Sequence, residues 1–387
     1  MAIADVDFKK ENLPGTNAAL RLESDSPEYY VRLSDLLKDT DPPQAAQVLQ
    51  RAVALNPWDS QSWVKLGLLA ESGGDFPRAE QYLLRAARFD KQYLPSWSLA
   101  NYYFRRGDSE KFWLWVGRAT DMAYGDMSGL FNLCWDVSRD GVLIEEKLDI
   151  RRPDVEVNYL RYLTAMDHVE AMEMAASRVL RFNREEDTPA LVTACDRLVK
   201  EGHASGAIQI WNKLCGLHRI PYGTLSPASG ESLTNGDFTV PPAGEGFDWK
   251  ILEHEGVSTL LEDHPAAFKF QFFGNEPESC DLFVQWAPVK PESDYRLRFL
   301  YRTAGIAPGT GLSWRVTDAG ATKSFARLES LSSETEREDE IAFRTPAGVS
   351  LIRLALSYQR ALGTTRIEGS LVLRKVRLIL AGAGAQP

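Results

Sequence analysis

Aromatic residues recur at a spacing of 34 in the first third of the chain: Tyr29, Trp63, Trp97 and Phe131 each open an amphipathic helical pattern. A period of this length excludes one undivided core. Each repeat is a supersecondary unit that cannot bury its own apolar face, so neighbours must stack. Around Trp63 the chain reads W-V-K-L-G-L-L-A, breaks at Gly73-Gly74-Asp75 and resumes as A-E-Q-Y-L-L-R-A-A. Small residues at Gly67, Ala79 and Ala86 let two antiparallel helices approach closely, while Trp63 and Leu83 fill the space between neighbours.

This pattern resembles the tetratricopeptide repeat. Trp63, Leu66 and Gly67 fit its first helix, Ala79, Leu83 and Ala86 its second, and Ala45, Leu49, Ala52 and Pro57 take the same places one repeat earlier. The unit from Trp97 is degenerate, with Gly107-Asp108 at the turn but bulky Phe112 where a small residue is expected, which leaves its helix-to-helix distance open. Asn158–Phe182 and Thr188–Leu217 read as further helix pairs, with Gly202 and Gly206 marking the turn and close crossing of the last. The expectation is an α-solenoid of five or six hairpins over residues 1–218. Asn17–Tyr30 aligns with the stretch one repeat later, Ala18 falling at the place of Ala52. The chain is therefore read as starting inside a repeat at its second helix, Met1-Ala2 as an expression scar, and a membrane anchor is expected upstream.

Composition narrows the function classes. The chain has 387 residues, enough for two or three domains, and 44 Lys+Arg against 54 Asp+Glu give a net charge of −10. That balance disfavours non-specific nucleic-acid binding, which depends on cations neutralising phosphates. No apolar run is long enough to span a membrane. Four cysteines without a C-x-x-C argue against a zinc ribbon or a disulfide scaffold. Cys134, Cys195 and Cys215 read as helix-core positions and Cys280 as a loop residue, all small buried hydrophobes.

Near residue 220 the texture changes. Arg219–Ser232 carries two prolines and two glycines and reads as a linker. Beyond it the periodicity alternates: Phe268/Phe270/Phe272, Leu282/Val284/Trp286, Tyr295/Leu297/Phe299/Tyr301, Leu312/Trp314/Val316, Ile352/Leu354/Leu356/Tyr358, and a closing run Val372–Leu380. Six or more short strands imply an antiparallel β-sandwich over 233–380, followed by a tail at 381–387. Leu233–Phe238 (L-T-N-G-D-F), Gly246–Trp249 (G-F-D-W) and the proline-bounded turn before Tyr295 resemble carbohydrate-binding modules with a jelly-roll fold. The resemblance implies a glycan ligand. It also implies a structural calcium held partly by an acidic pair on the closing strand, but Arg374-Lys375-Val376 stands there, so no metal and no cofactor is expected.

Two surfaces are candidate sites. The tetratricopeptide resemblance places a partner groove at Gln61, Val64, Leu68 and Glu71, at Ser98, Tyr102 and Arg105, and at Asn132, Asp136 and Arg139, a mixed polar lining suited to a protein or peptide partner. In the second domain a glycan site needs an exposed flat aromatic flanked by hydrogen-bonding groups. Trp286, Trp314, Tyr301 and Tyr358 share strand parity with aliphatic residues and read as core, leaving Trp249, beside a glycine-rich loop, as the stacking platform. On the opposite parity lie Lys269, Gln271, Gln285, Arg298, Arg302, Arg315 and Arg353. If they share one face, they form either a cationic surface for an acidic polysaccharide or an ordinary solvated exterior. The histidines show no zinc-type spacing, no nucleophile-elbow or phosphate-loop motif occurs, and Gly305–Gly311 joins two strand-like runs. The acidic clusters Glu185–Asp187 and Glu334–Glu340 read as solvated turns.

The expectation is a non-enzymatic scaffold that docks a protein through its repeats and a polysaccharide through its sandwich. The combination resembles bacterial repeat proteins of envelope polysaccharide assembly or export, implying an extracytoplasmic location, periplasmic or envelope-associated; the alternative is the cytoplasm. The alternative is a purely structural interaction protein whose sandwich binds no sugar.

Overall fold

The structure, a computed structural model, describes residues 12–328 and 330–381 together with Ala4, Phe8 and Lys9. Met1-Ala2 and the tail beyond Ala381 lie outside the described residues. Helices fill the first part of the chain and strands the last, tetratricopeptide-like helical repeats followed by an antiparallel two-sheet sandwich. The chain divides into two compact units, Met1–Tyr159 and Leu160–Pro387.

The first unit holds α1 (Leu13–Leu22), α2 (Pro27–Leu37), α3 (Pro42–Leu55), α4 (Ser60–Ser72), α5 (Phe76–Phe89), α6 (Tyr93–Arg106), α7 (Ser109–Met122), α8 (Ser128–Ser138), α9 (Gly141–Leu148) and the start of α10 (Pro153–Ala165). A recurring aspartate sets where each second helix begins. Asp41, Asp75 and Asp108 accept hydrogen bonds from the backbone N–H of Gln44, Arg78 and Lys111, each at 3.1 Å. Each thereby satisfies one of the helix's orphan donors. Proline in the first turn of α3 and α5 loses no needed donor there. Between the helices of a pair the small Ala45, Ala79 and Ala86 and the space-filling Leu49 and Leu83 are all fully buried. A Cβ added to Gly67 would lie 2.6 Å from Leu83 Cγ. Phe112 is nonetheless fully buried in its degenerate unit. In α1 the buried small residue is Ala19 rather than Ala18, a slip of one residue from the expected alignment.

The second unit holds the end of α10, α11 (Val169–Phe182), α12 (Thr188–Lys200), α13 (Ala204–Gly216) and all ten strands. Glu185–Asp187, expected as a solvated turn, is a single 3₁₀ turn whose Asp187 is buried and accepts two bonds from the Arg184 guanidinium at 2.8 and 3.0 Å. Residues 219–232 fold back on α13. The Asn212 side chain exchanges two hydrogen bonds with the Leu225 backbone, and Trp211 stacks on Tyr222 at 5.1 Å.

The strands are β1 (Lys250–Ile251), β2 (Val257–Asp263), β3 (Ala266–Phe273), β4 (Ser279–Pro288), β5 (Asp294–Ala304), β6 (Leu312–Asp318), β7 (Ser324–Arg327), β8 (Arg337–Arg344), β9 (Leu351–Gln359) and β10 (Glu368–Leu380). They form two antiparallel sheets, ordered β1-β4-β9-β6-β7 and β2-β3-β10-β5-β8. Part of the cluster Glu334–Glu340 is strand rather than turn. In β8, Ile341 and Phe343 face the core while Glu338 and Glu340 face out, the charged exterior that keeps an edge strand from pairing further. Cys280 lies in β4, not in a loop, and is buried; burial raises its thiol to about 11. All four cysteines are free and buried.

Candidate functional site

In the first unit the expected groove positions separate into open and closed ones. Gln61, Leu68, Asn132, Asp136 and Arg139 are exposed, whereas Val64, Ser98 and Tyr102 are buried. The Tyr102 hydroxyl donates to the Phe76 carbonyl at 3.0 Å and the Ser98 hydroxyl to the Leu94 carbonyl at 2.8 Å, so neither is open to a guest. Glu71 and Arg105, one repeat apart, form a two-pronged ion pair at 2.7 and 2.8 Å and neutralise each other. An open hollow of about 420 Å³ remains between α2 and α4, lined by Gln61, Glu28, Arg32, Asp35 and Asp59 among others.

In the sandwich the seven glycan candidates do not share a face. Gln271, Arg298 and Arg302 lie on the outer side of β2-β3-β10-β5-β8 with Lys269; Arg315 and Arg353 lie on the outer side of the other sheet. Trp249 is no exposed platform. It is 0% exposed, its ring stacks on Phe283 at 4.6 Å and 7°, and its indole N–H donates to the Asn235 carbonyl. The glycine-rich loop delivers it into the core, where a ring of this size buries more apolar surface than any other side chain.

Gln285 is likewise a core residue, and the reason is a bulge. Between Asp281 and Phe283 the register of β4 against β9 shifts by one. A one-residue shift sends every later side chain to the opposite face. Phe283, Gln285 and Ala287 therefore point inward and Trp286 points out. The Gln285 amide donates to Thr234 and to the Phe247 carbonyl at 2.8 to 3.0 Å, pinning the opening loop of the sandwich. Trp286, expected in the core, is half-buried on the outer face. Of the five aromatics singled out, Trp249, Trp314, Tyr301 and Tyr358 are buried; Trp286 is the one that reaches the surface.

Around Trp286 the outer face of β1-β4-β9-β6-β7 is built in cross-strand rows. Trp286, Arg353 and Thr317 form one, Val284, Ala355 and Arg315 the next, and Asp281, Ser357 and Ser313 lie alongside. Small residues along β9 keep the middle low. The Trp286 indole N–H donates to the Ala319 carbonyl at 3.0 Å, and Lys250 and Arg353 each place a cation 5.7 Å from its ring centroid. Asp281 accepts from Arg353 at 2.7 Å, from the Ser357 hydroxyl at 2.7 Å and from Arg315. Burial alone would raise its carboxyl, but the Ser357 and Arg353 bonds and the two guanidiniums outweigh it and hold the group below the usual carboxylate range. A carboxylate so saturated is an orienting group rather than a proton shuttle. No cluster of three or more metal-ligating His, Cys, Asp or Glu occurs among the described residues. Val284, Ala355, Ser357, Ser313, Thr317 and Arg353 are buried on this face, so the partly exposed Trp286, Arg315 and Lys250 are what it presents outward.

No family model and no curated protein sequence matches the chain. Among solved structures, a CBM4 carbohydrate-binding module is 12% identical, covers 38% of this chain and 97% of its own, and gives a TM-score of 0.29. A CBM61 module solved in complex with β-1,4-galactotriose is 16% identical over 38% of this chain and 92% of its own, TM-score 0.25. YrrB, described as a TPR protein with an unusual peptide-binding site, is 10% identical over 53% of this chain and 93% of its own, TM-score 0.27.

Proposed function

We propose that this protein is a non-enzymatic adaptor that holds a protein or peptide partner on its helical repeats and a carbohydrate on the outer face of β1-β4-β9-β6-β7. The observation that carries the carbohydrate arm is the outward turn of Trp286 beside Arg353, Lys250 and the Asp281 network. An aromatic face takes up the apolar side of a sugar ring, and fixed ionic groups give its hydroxyls directional partners. The extracytoplasmic, polysaccharide-assembly setting belongs to the same proposal.

The test is a glycan array with the intact chain, followed by titration of the best ligand against Trp286→Ala and Trp286→Phe. The alanine variant should lose affinity by about tenfold or more while the phenylalanine variant keeps part of it. A blank array, or an alanine variant that binds like its parent, refutes the carbohydrate arm and leaves a sandwich that serves interaction alone.

A further inference from the structure

The second sheet presents a different chemistry. On the outer face of β2-β3-β10-β5-β8 its three central strands carry Lys269 from β3, Lys375 and Arg377 from β10, and Arg296, Arg298 and Arg302 from β5. The acids of these strands, Asp294 and Glu368, stand at strand ends. The register makes the patch continuous: Lys269, Val372 and Arg302 form one cross-strand row, and Arg377 lies directly opposite Arg298. Neighbouring strands are about 4.8 Å apart and alternate residues about 6.8 Å, so each cation stands within a Debye length of the next.

Like charges set directly across a sheet destabilise it. Two acids of β8 face the same side: Glu340 pairs with Arg296 at 3.3 Å and Arg298 at 2.9 Å, and Glu338 stands across Leu300 from Lys375 without an ion pair to it. Lys269, Arg302, Lys375 and Arg377 have no ion pair among the described residues. The chain as a whole carries −10, so this face is a local inversion of its field rather than a sample of it. In these rows the unpaired cations stand beside Val372, Leu300 and the paired Arg298 rather than beside one another, and their charge stays open to an acidic guest.

We infer that this face binds a linear polysaccharide bearing carboxylates. Arginine forks take carboxylates in a two-pronged geometry, and a flat lattice of them meets a repeating acid better than a single charge. Gln271 and Ser370, in the row next to Lys269, add uncharged groups for sugar hydroxyls. Single-stranded nucleic acid would want aromatic platforms between the cations; the residues between them are Val372, Leu300 and Ile379. The inference does not rest on the Trp286 reading, which concerns the other sheet.

The experiment is affinity electrophoresis of the intact protein through gels containing alginate or, as the neutral control, dextran. Alginate should retard the parent at low salt, the retardation should fade as salt rises, and dextran should leave it unmoved. The triple substitution Lys269→Gln, Arg302→Gln, Arg377→Gln should weaken alginate binding about ten- to a hundredfold. It should melt no lower than the parent, because it removes repulsion. Trp286→Ala should keep the full effect, which separates the two sites. No retardation by alginate, equal retardation of the triple variant, or capture by phosphatidylserine vesicles in place of alginate overturns the inference.

Discussion

Gly67 shows how much one hydrogen atom in place of a methyl group decides. Its α4 backbone lies so close to α5 that an added Cβ would meet Leu83 Cγ at 2.6 Å and the Ala79 carbonyl oxygen at 3.4 Å. Gly117, inside α7, has no atom within 4 Å of the same construction. Alanine gains about 1 kcal/mol over glycine in a helix interior, while overpacking costs about 1–3 kcal/mol. Gly117→Ala should therefore raise the thermal midpoint, Gly67→Ala should lower it, and Gly67→Leu should lower it much further. A Gly67→Ala protein that melts at or above its parent, read by circular dichroism, contradicts the close crossing. Gly246 makes a similar demand in the second unit, with a φ of 60° and an added Cβ 2.7 Å from the Trp211 ring.

At the scale of elements, the β4 bulge is the feature that makes a site. Without the shift between Asp281 and Phe283, Trp286 would join the core and Gln285 would face solvent. The same bulge sets Asp281 beside Ser357 on β9 and within reach of Arg315 on β6 and Arg353 on β9. The Asp281 carboxyl is held below its ordinary value, so it binds its proton less readily folded than unfolded. Its stabilisation is fully present above the unfolded aspartate value of about 4 and is lost as the pH falls through the lower folded value. Acid titration of urea midpoints should show parent stability falling as pH drops below about 4. In Asp281→Asn the loss over that window should be smaller, starting from a lower plateau at neutral pH because two guanidiniums lose their partner. Parallel acid limbs in parent and variant would contradict the assignment.

At the scale of the whole molecule, the last helices belong with the sandwich. Trp211 of α13 stacks on Tyr222 and meets Phe247 edge-on at 5.7 Å. Asp196 of α12 is nearly buried; it accepts the Gly246 N–H at 3.2 Å and lies against Lys200 and Lys250. The Tyr222 hydroxyl donates to Asp248 at 2.8 Å, where burial raises the carboxyl. A fragment of residues 153–387 should unfold in one cooperative transition, whereas a fragment starting at 233 should bind a hydrophobic dye and melt lower, with Phe247 stripped of its cover. Equal melting of the two fragments would show that the helices contribute nothing to the sandwich.

The sequence alone was enough for the repeating hairpins, since a period of 34 with Gly67, Ala79 and Ala86 in register admits few other packings; that Asp41, Asp75 and Asp108 cap the second helices was seen only in the structure. It was also enough for the change from a helical to an alternating period near residue 220 and for a buried fate for Trp314, Tyr301 and Tyr358. These are properties of neighbours along the chain. Which tryptophan reaches the surface depended on a bulge defined by the pairing of β4 with β9, strands some 70 residues apart in sequence. Which cations share a face depended on the order of strands across two sheets. Parity along one strand says that a side chain alternates; only its partner strands say toward what.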